Sequence, residues 1–288
     1  MTRRVRRSLL YTPADRREML ASAVGSEADC VIFDLEDAVA AENIPAARDN
    51  LVETLPDIET VGTEISVRIN GTETDYWLED VRTAAMAGVD TIHVPEVEHP
   101  WQIRMIVETA GQLFETPPEI VLLIESPEGL LRGTEIAAEC RNQPAVTGIT
   151  FGMSDYAISV GGSQTSSQIR EFLNHQILAI AGTGNVEPIS SVYPDARDVE
   201  GAREIAVAAN DLGFIGQTVI HPAQVGLINE VFTPDAETVE RAQELLRGFE
   251  RAEGASVEVD GVFMDEAHVT RYENVIRRYE RIEGVDSA

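Results

Sequence analysis

The sequence predicts an α/β fold, a (β/α)8 TIM barrel with a C-terminal helical extension, on three observations. Eight short apolar runs alternate with amphipathic stretches, the chain is 288 residues long, and no G-x-G-x-x-G string follows any run. Alternating strand and helix patterns specify a parallel sheet, eight such units close it into a barrel, and roughly 250 residues is typical of one. The missing glycine fingerprint argues against an open dinucleotide-binding sheet.

In order, the runs are SLLY (8–11), CVIFD (30–34), ISVRI (65–69), TIHV (91–94), IVLLI (120–124), GITF (148–151), PISSV (188–192) and TVI (218–220). Each is strand-length and apolar enough to be covered on both faces, as a parallel sheet requires. Helical periodicity occupies 15–23, 44–55, 75–87, 100–114 and 195–212 between them. Past the eighth run, 234–253 and 266–282 read as charged amphipathic helices joined by GASVEVDGVFMD, a hairpin or extended segment. These limits divide the chain into a catalytic barrel domain at 1–233 and a helical extension at 234–288. The extension is surplus to a barrel, so it caps its own barrel mouth or reaches a neighbouring subunit.

Composition narrows the chemistry. All 22 basic residues are arginine, against 50 Asp and Glu, for a net charge of −28. Without a lysine amine there is no Schiff base, no pyridoxal-phosphate linkage and no lysine-based phosphate loop. The acidity argues against nucleic acid as a partner, whose backbone is bound through basic surface. Its simplest reading is a halophilic one, a carboxylate surface solvated in a salt-rich cytoplasm. With 43% hydrophobic residues the chain can bury a core despite that charge. Cys30 and Cys140 form no pairing motif, which points to a reduced compartment. The basic start MTRRVRR is followed by no apolar segment, and no stretch approaches membrane-spanning length, so a cytoplasmic protein without a membrane partner is expected.

In a barrel of this kind, chemistry sits at the C-terminal ends of the strands. The polar residues there are the acidic run 34–37 after the second run, Arg68 and Asn70 on the third, Glu125 after the fifth, Asp155 after the sixth and His221 after the eighth. Glu125 and Asp155 follow adjacent strands, so their carboxylates can converge on one hard cation, with waters completing its shell. Alternatively, each caps the helix that follows. Arg68 either pairs with a structural acid or meets a substrate carboxylate or enolate. Within the acidic run, one member is expected to contact metal-bound water and another to pair with an arginine such as Arg48. Tyr11, Arg16 and Arg17 either meet a phosphate or form a solvated helix start. His93 reads as a packed strand histidine. Ser8 and Ser154 lack a G-x-S-x-G context, which disfavours a serine hydrolase.

Seven strings stand in one order along almost the whole chain: RSLLYTPADRR, ADCVIFDLEDAVA, SVRIN, LLIESPEGL, FGMSDYAISVG, GFIGQTVIHPAQVGLINEVFTP and GVFMDEAHV. Together they resemble the CitE-like acyl-CoA lyases of the HpcH/HpaI aldolase superfamily, which include malyl-CoA, β-methylmalyl-CoA and citramalyl-CoA lyases and the citrate lyase β subunit. The resemblance implies a Mg2+-dependent lyase, with Mn2+ as the alternative ion, acting on a coenzyme A thioester and a 2-oxo acid such as glyoxylate. It implies a homotrimer or homohexamer in which the extension completes a neighbour's site. By motif, Glu125 and Asp155 would be the metal ligands, Arg68 the stabiliser of the thioester enolate, and Asp265 the acid/base supplied across the interface. Tyr11 and Arg16 would contact the CoA adenine and phosphates, and Glu36 and Asp37 would steady metal-bound waters. Ala14 stands where relatives often have Gly, and Ser22, Glu96 and Gln217 stand where they often carry lysine. A malyl-CoA or β-methylmalyl-CoA lyase is the reading expected first. A citramalyl-CoA lyase, a malyl-CoA thioesterase and a citrate lyase subunit are its rivals.

Overall fold

Eight parallel strands, β1 (Ser8–Pro13), β2 (Cys30–Asp34), β3 (Glu64–Arg68), β4 (Thr91–Val94), β5 (Glu119–Ile124), β6 (Val146–Phe151), β7 (Glu187–Ser190) and β8 (Gly216–Val219), pair in sequence order, and β1 pairs with β8 to close the barrel. The coordinates are a computed structural model that describes residues 4–60, 62–252 and 256–284. Every run read from the sequence lies on its strand, with ends displaced by no more than two residues.

The helices are α1 (Arg17–Val24), α2 (Ile44–Thr54), α3 (Trp77–Ala87), α4 (Pro100–Leu113), α5 (Pro127–Leu131), α6 (Gly133–Asn142), α7 (Met153–Ser159), α8 (Ser167–Gly184), α9 (Val199–Leu212) and α10 (Val225–Phe232). Their starts are written locally: Ser126, Ser166 and Asp198 accept backbone N–H groups at the entries of α5, α8 and α9. None of the described helices is long and apolar enough to cross a membrane.

Inside the barrel, Leu9, Cys30, Ile32, Val121 and Ile189 pack as a buried cluster, with Tyr11 and Ile215 against it. Arg6 fills the N-terminal end. Its guanidinium is fully buried and held by Glu64 at 2.7 Å and Glu119 at 2.6 Å, with Thr147 Oγ1 accepting at 2.9 Å. Removing one partner of such a pair costs about 3–5 kcal/mol, because the other charge stays buried. His93 is fully buried on β4 as a packed strand histidine, and burial, then Arg6 and Arg68, hold its imidazole well below the usual histidine range.

The chain divides into two compact units, Met1–Asn229 and Glu230–Ala288. The second contains α11 (Ala236–Arg251), an antiparallel hairpin of β9 (Ser256–Val259) and β10 (Val262–Asp265), and α12 (Glu266–Glu283). Val239, Ala242 and Leu245 of α11 and Met264 of β10 form its buried side. Residues 1–3 of the basic start and 253–255 of the predicted helix end and connecting segment lie outside the described residues.

Candidate active site at the strand ends

A cleft of about 380 Å3 opens at the C-terminal ends of the strands. Tyr11, Asp37, Arg68, Glu125 and Asp155 line it, together with Thr150, Ser191 and Thr218. The site therefore lies where barrel geometry puts it.

Arg68 ends β3 directly opposite Asp34 on β2. Its Nε donates to Asp34 Oδ1 at 2.7 Å and its Nη2 to Asp34 Oδ2 at 2.5 Å, the planar two-bond match of guanidinium and carboxylate. The remaining Nη1 lies 2.8 Å from Glu36 Oε2 and 3.1 Å from Asp37 Oδ2. The guanidinium also stands over the Tyr11 ring, 4.9 Å from its centroid. Arg68 thus pairs with a structural acid and also lines the cleft. The partner expected for the acidic run is corrected here. Arg48 bonds Asp80 at 2.8 Å and the Tyr76 carbonyl at 2.9 Å, because α2 packs on α3, and it is Arg68 that takes Asp34.

Glu125 follows β5 and does not cap a helix, since Ser126 performs that task for α5. Its Oε1 instead accepts the Glu96 N–H at 2.6 Å. Asp155 occupies the first turn of α7, whose N-cap is Gly152. That glycine separates the two acids. A Cβ placed on it would lie 2.4 Å from Glu125 Oε2 and 3.2 Å from Asp155 Oδ2, so both carboxylates converge on one point and leave no room for a side chain.

Electrostatics makes the same point. Burial, opposed by the Glu96 N–H and Arg68, pushes the Glu125 carboxyl up to about 7. Burial also carries Glu36 to about 9; Arg68 pulls down, but Glu125, Asp37 and Asp34 oppose it. Asp155 is raised by burial and by Asp37. Arg68 is already engaged by Asp34, so its proximity to Glu36 does not offset that crowding. A divalent cation between Glu125 and Asp155 would remove the repulsion. Among the described residues no group of three or more His, Cys, Asp or Glu is placed so that it could hold a metal ion, so the protein's share of such a site is these two carboxylates. Two carboxylates with waters is a Mg2+-type donor set, hard and all-oxygen, and these residues fit it.

The other expected residues fall elsewhere. Arg16 precedes α1 with its side chain 63% exposed, 3.6 Å from Asp15, and Arg17 pairs with Glu53. Asp265 belongs to the second unit, where it caps α12 by accepting from Ala267 N and His268 N, and lies 2.7 Å from His268 Nδ1. The hydrogen bond with His268 holds its carboxyl below the usual range. His221 caps a short turn through Ala223 N. Asp34 and the Glu96 N–H were missed as individual roles; strand register supplies the first, and no sequence signal supplies the second.

The family model described as HpcH/HpaI aldolase/citrate lyase matches residues 7–222. A (3S)-malyl-CoA thioesterase of Cereibacter sphaeroides is 32% identical over 282 residues, covering 96% of this chain and 95% of its own. An L-malyl-CoA/beta-methylmalyl-CoA lyase of Rhodobacter capsulatus is also 32% identical, over 308 residues, with 96% and 95% covered. Among solved structures, CitE from Mycobacterium tuberculosis in complex with magnesium, acetoacetate and coenzyme A is similar, with a TM-score of 0.77 at 29% identity. That match covers 94% of this chain and 97% of the other.

Proposed function

The chain belongs to the HpcH/HpaI aldolase/citrate lyase family, and from that membership we propose a Mg2+-dependent carbon–carbon lyase that reversibly cleaves a 3-hydroxyacyl-CoA. The substrates we assign are malyl-CoA and β-methylmalyl-CoA, yielding glyoxylate with acetyl-CoA or propionyl-CoA. One observation carries the reading: Glu125 and Asp155 converge across Gly152 in the cleft that Arg68 also lines.

Glu125 and Asp155 would hold the divalent cation, Mg2+ or Mn2+. Bound there, it would supply Lewis acidity to the oxo acid's carbonyl and offset the crowded carboxylate charge. Glu36 and Asp37, beside Arg68, are assigned to steadying the ion's waters. Arg68 stabilises the negative oxygen of the thioester enolate, and its fixed pairing with Asp34 means that it need not reorganise as charge develops. Tyr11 lies against Arg68 in the cleft, so we assign its contact with CoA to the thioester end in place of the adenine and phosphates first expected; Arg16, exposed before α1, is assigned to a CoA phosphate.

Asp265 removes the proton from the acyl α-carbon in condensation and returns it in cleavage. We assign it to the site of a neighbouring copy in a homotrimer or homohexamer, with the barrel at 1–233 and the extension at 234–288. Condensation forms the bond between the acyl α-carbon and the carbonyl carbon, and the former carbonyl oxygen gains a proton to become the hydroxyl. Cleavage reverses both changes.

A second reading has support of equal weight, because the thioesterase relative is as similar as the lyase relative. On that reading water attacks the thioester carbonyl and no carbon–carbon bond breaks. A citramalyl-CoA lyase would differ only in accepting pyruvate, and one methyl group is discriminated by roughly 1–3 kcal/mol. A citrate lyase β subunit would work on a carrier-bound thioester.

The test incubates the full chain with glyoxylate or pyruvate and acetyl-CoA or propionyl-CoA, and separately with malyl-CoA, with and without EDTA, and reads products by mass spectrometry. Condensation of glyoxylate that EDTA abolishes is expected, and the Asp265→Asn variant should lose about 10²–10⁴-fold in rate while still binding Mg2+. Free CoA from malyl-CoA, with no condensation product from any pair, would overturn the lyase reading in favour of hydrolysis.

A further inference from the structure

One residue at the cleft edge adopts a backbone conformation that its side chain does not favour. Glu96, in the loop between β4 and α4, has φ of 50°, the left-handed region uncommon outside glycine and asparagine. Glu27, Asn185 and Asp260 share that sign of φ. Asn185 caps α8 and Asp260 turns the β9–β10 hairpin, sites where such residues adopt it readily, and Glu27 lies in the α1–β2 connection with its carbonyl accepting from Asn229 Nδ2 at 3.0 Å. Of these residues it is Glu96 whose amide donates to a carboxylate that lines the cleft. What the twist achieves is visible at its amide, which points at Glu125 and donates to Oε1 at 2.6 Å. Strained residues persist where the surroundings over-determine them, and they gather at functional sites.

Those surroundings include the Val97 N–H, bound to the Leu123 carbonyl at 3.1 Å, Gly71 beneath the Glu96 carboxylate, and one buried side chain. Gln102 is 2% exposed in the first turn of α4, and its amide is fully committed. Its Oε1 accepts the N–H groups of Glu98 and His99, both at 2.7 Å. Its Nε2 donates to Thr72 Oγ1 at 2.7 Å and to the Glu96 carbonyl at 3.0 Å. In an ordinary capping box the N3 side chain satisfies the N-cap N–H alone. This one also ties down the Glu98 N–H, the Glu96 carbonyl and the loop after β3. Gln102 therefore grips the strained residue on the side away from Glu125, through a group that both donates and accepts.

We propose that Gln102, with Thr72 behind it, is a positioning residue of the cation site: it holds Glu96 in its left-handed conformation so that the Glu96 N–H fixes one oxygen of Glu125 and leaves the other to face Asp155. The role belongs to the Glu96 backbone, not to its carboxylate. It rests on the reading of Glu125 as a metal ligand.

The test is Mg2+ binding to the full chain, measured by calorimetry, with circular dichroism to establish folding. Wild type should bind one ion per chain, and Glu125→Gln should abolish binding; unchanged affinity in that variant would remove the metal reading itself. Gln102→Leu should weaken binding about 10- to 100-fold, the usual effect of losing a partner behind a ligand. Glu96→Gly keeps the N–H and tolerates the φ, so its affinity should stay within about threefold of wild type. Lowered thermal stability of Gln102→Leu with wild-type affinity would mean a helix cap only, and would overturn the proposal. Equal losses in Glu96→Gly and Gln102→Leu would shift the role to the Glu96 carboxylate and overturn it too. Should Gln102→Leu not fold, Thr72→Val decides: it spares the cap and removes one anchor, and a loss of roughly threefold to tenfold is expected. Wild-type affinity in Thr72→Val would then count against the proposal.

Discussion

Glu125 is the residue whose protonation governs the cleft. Burial chiefly pushes its carboxyl up to about 7, so the cation proposed for this site would compete with a proton for the same oxygens. With the folded value above the ordinary one, its contribution to metal-free stability is complete below the ordinary carboxylate range and is lost as pH rises to about 7. Mg2+ affinity runs the other way. Calorimetry at pH 8 and pH 6 should find binding about tenfold weaker at pH 6, with proton release on binding at the lower pH. Equal affinity at both would mean that Glu125 is not a ligand. Arg68 was legible as a functional candidate because an arginine in an apolar strand needs a partner. Its actual partner was not, since Asp34 and Arg68 are 34 residues apart and only strand register sets them opposite each other.

At the scale of elements, the β6–α7 connection decides how closely two acids approach each other. Gly152 lets the chain turn from strand to helix between Glu125 and Asp155 without a side chain to push them apart. Gly152→Ala should leave the barrel folded but reduce Mg2+ affinity about 10- to 100-fold, read by the same titration. Wild-type affinity would show that the carboxylates relax around a methyl group and that their convergence is not tight. All eight strands were readable because each is a short apolar run between helical periods, and burial on both faces of a parallel sheet demands that composition. The β4–α4 loop was not readable. A strained φ at Glu96 and a four-bond Gln102 leave no mark in periodicity or motif.

For the whole molecule, the charge is the dominant global property. With 50 acids against 22 arginines, self-repulsion opposes the compact state at low ionic strength. The screening length falls from about 10 Å at 0.1 M salt to about 3 Å at 1 M. Raising KCl from 0.1 M to 2 M should therefore raise the thermal midpoint by roughly 5–10 °C, with a smaller gain at pH 5, where more carboxylates are protonated. An unchanged midpoint in differential scanning calorimetry would indicate that the acids are paired more fully than the composition implies. Sequence alone determined the barrel, because strand and helix periods are local, and it excluded lysine chemistry, because composition needs no fold. Tertiary structure decided which acids meet. Asp34 clasps Arg68, Arg48 takes Asp80, and Glu125 approaches Asp155 over a glycine, contacts fixed by strand register and helix packing between residues that are distant in sequence.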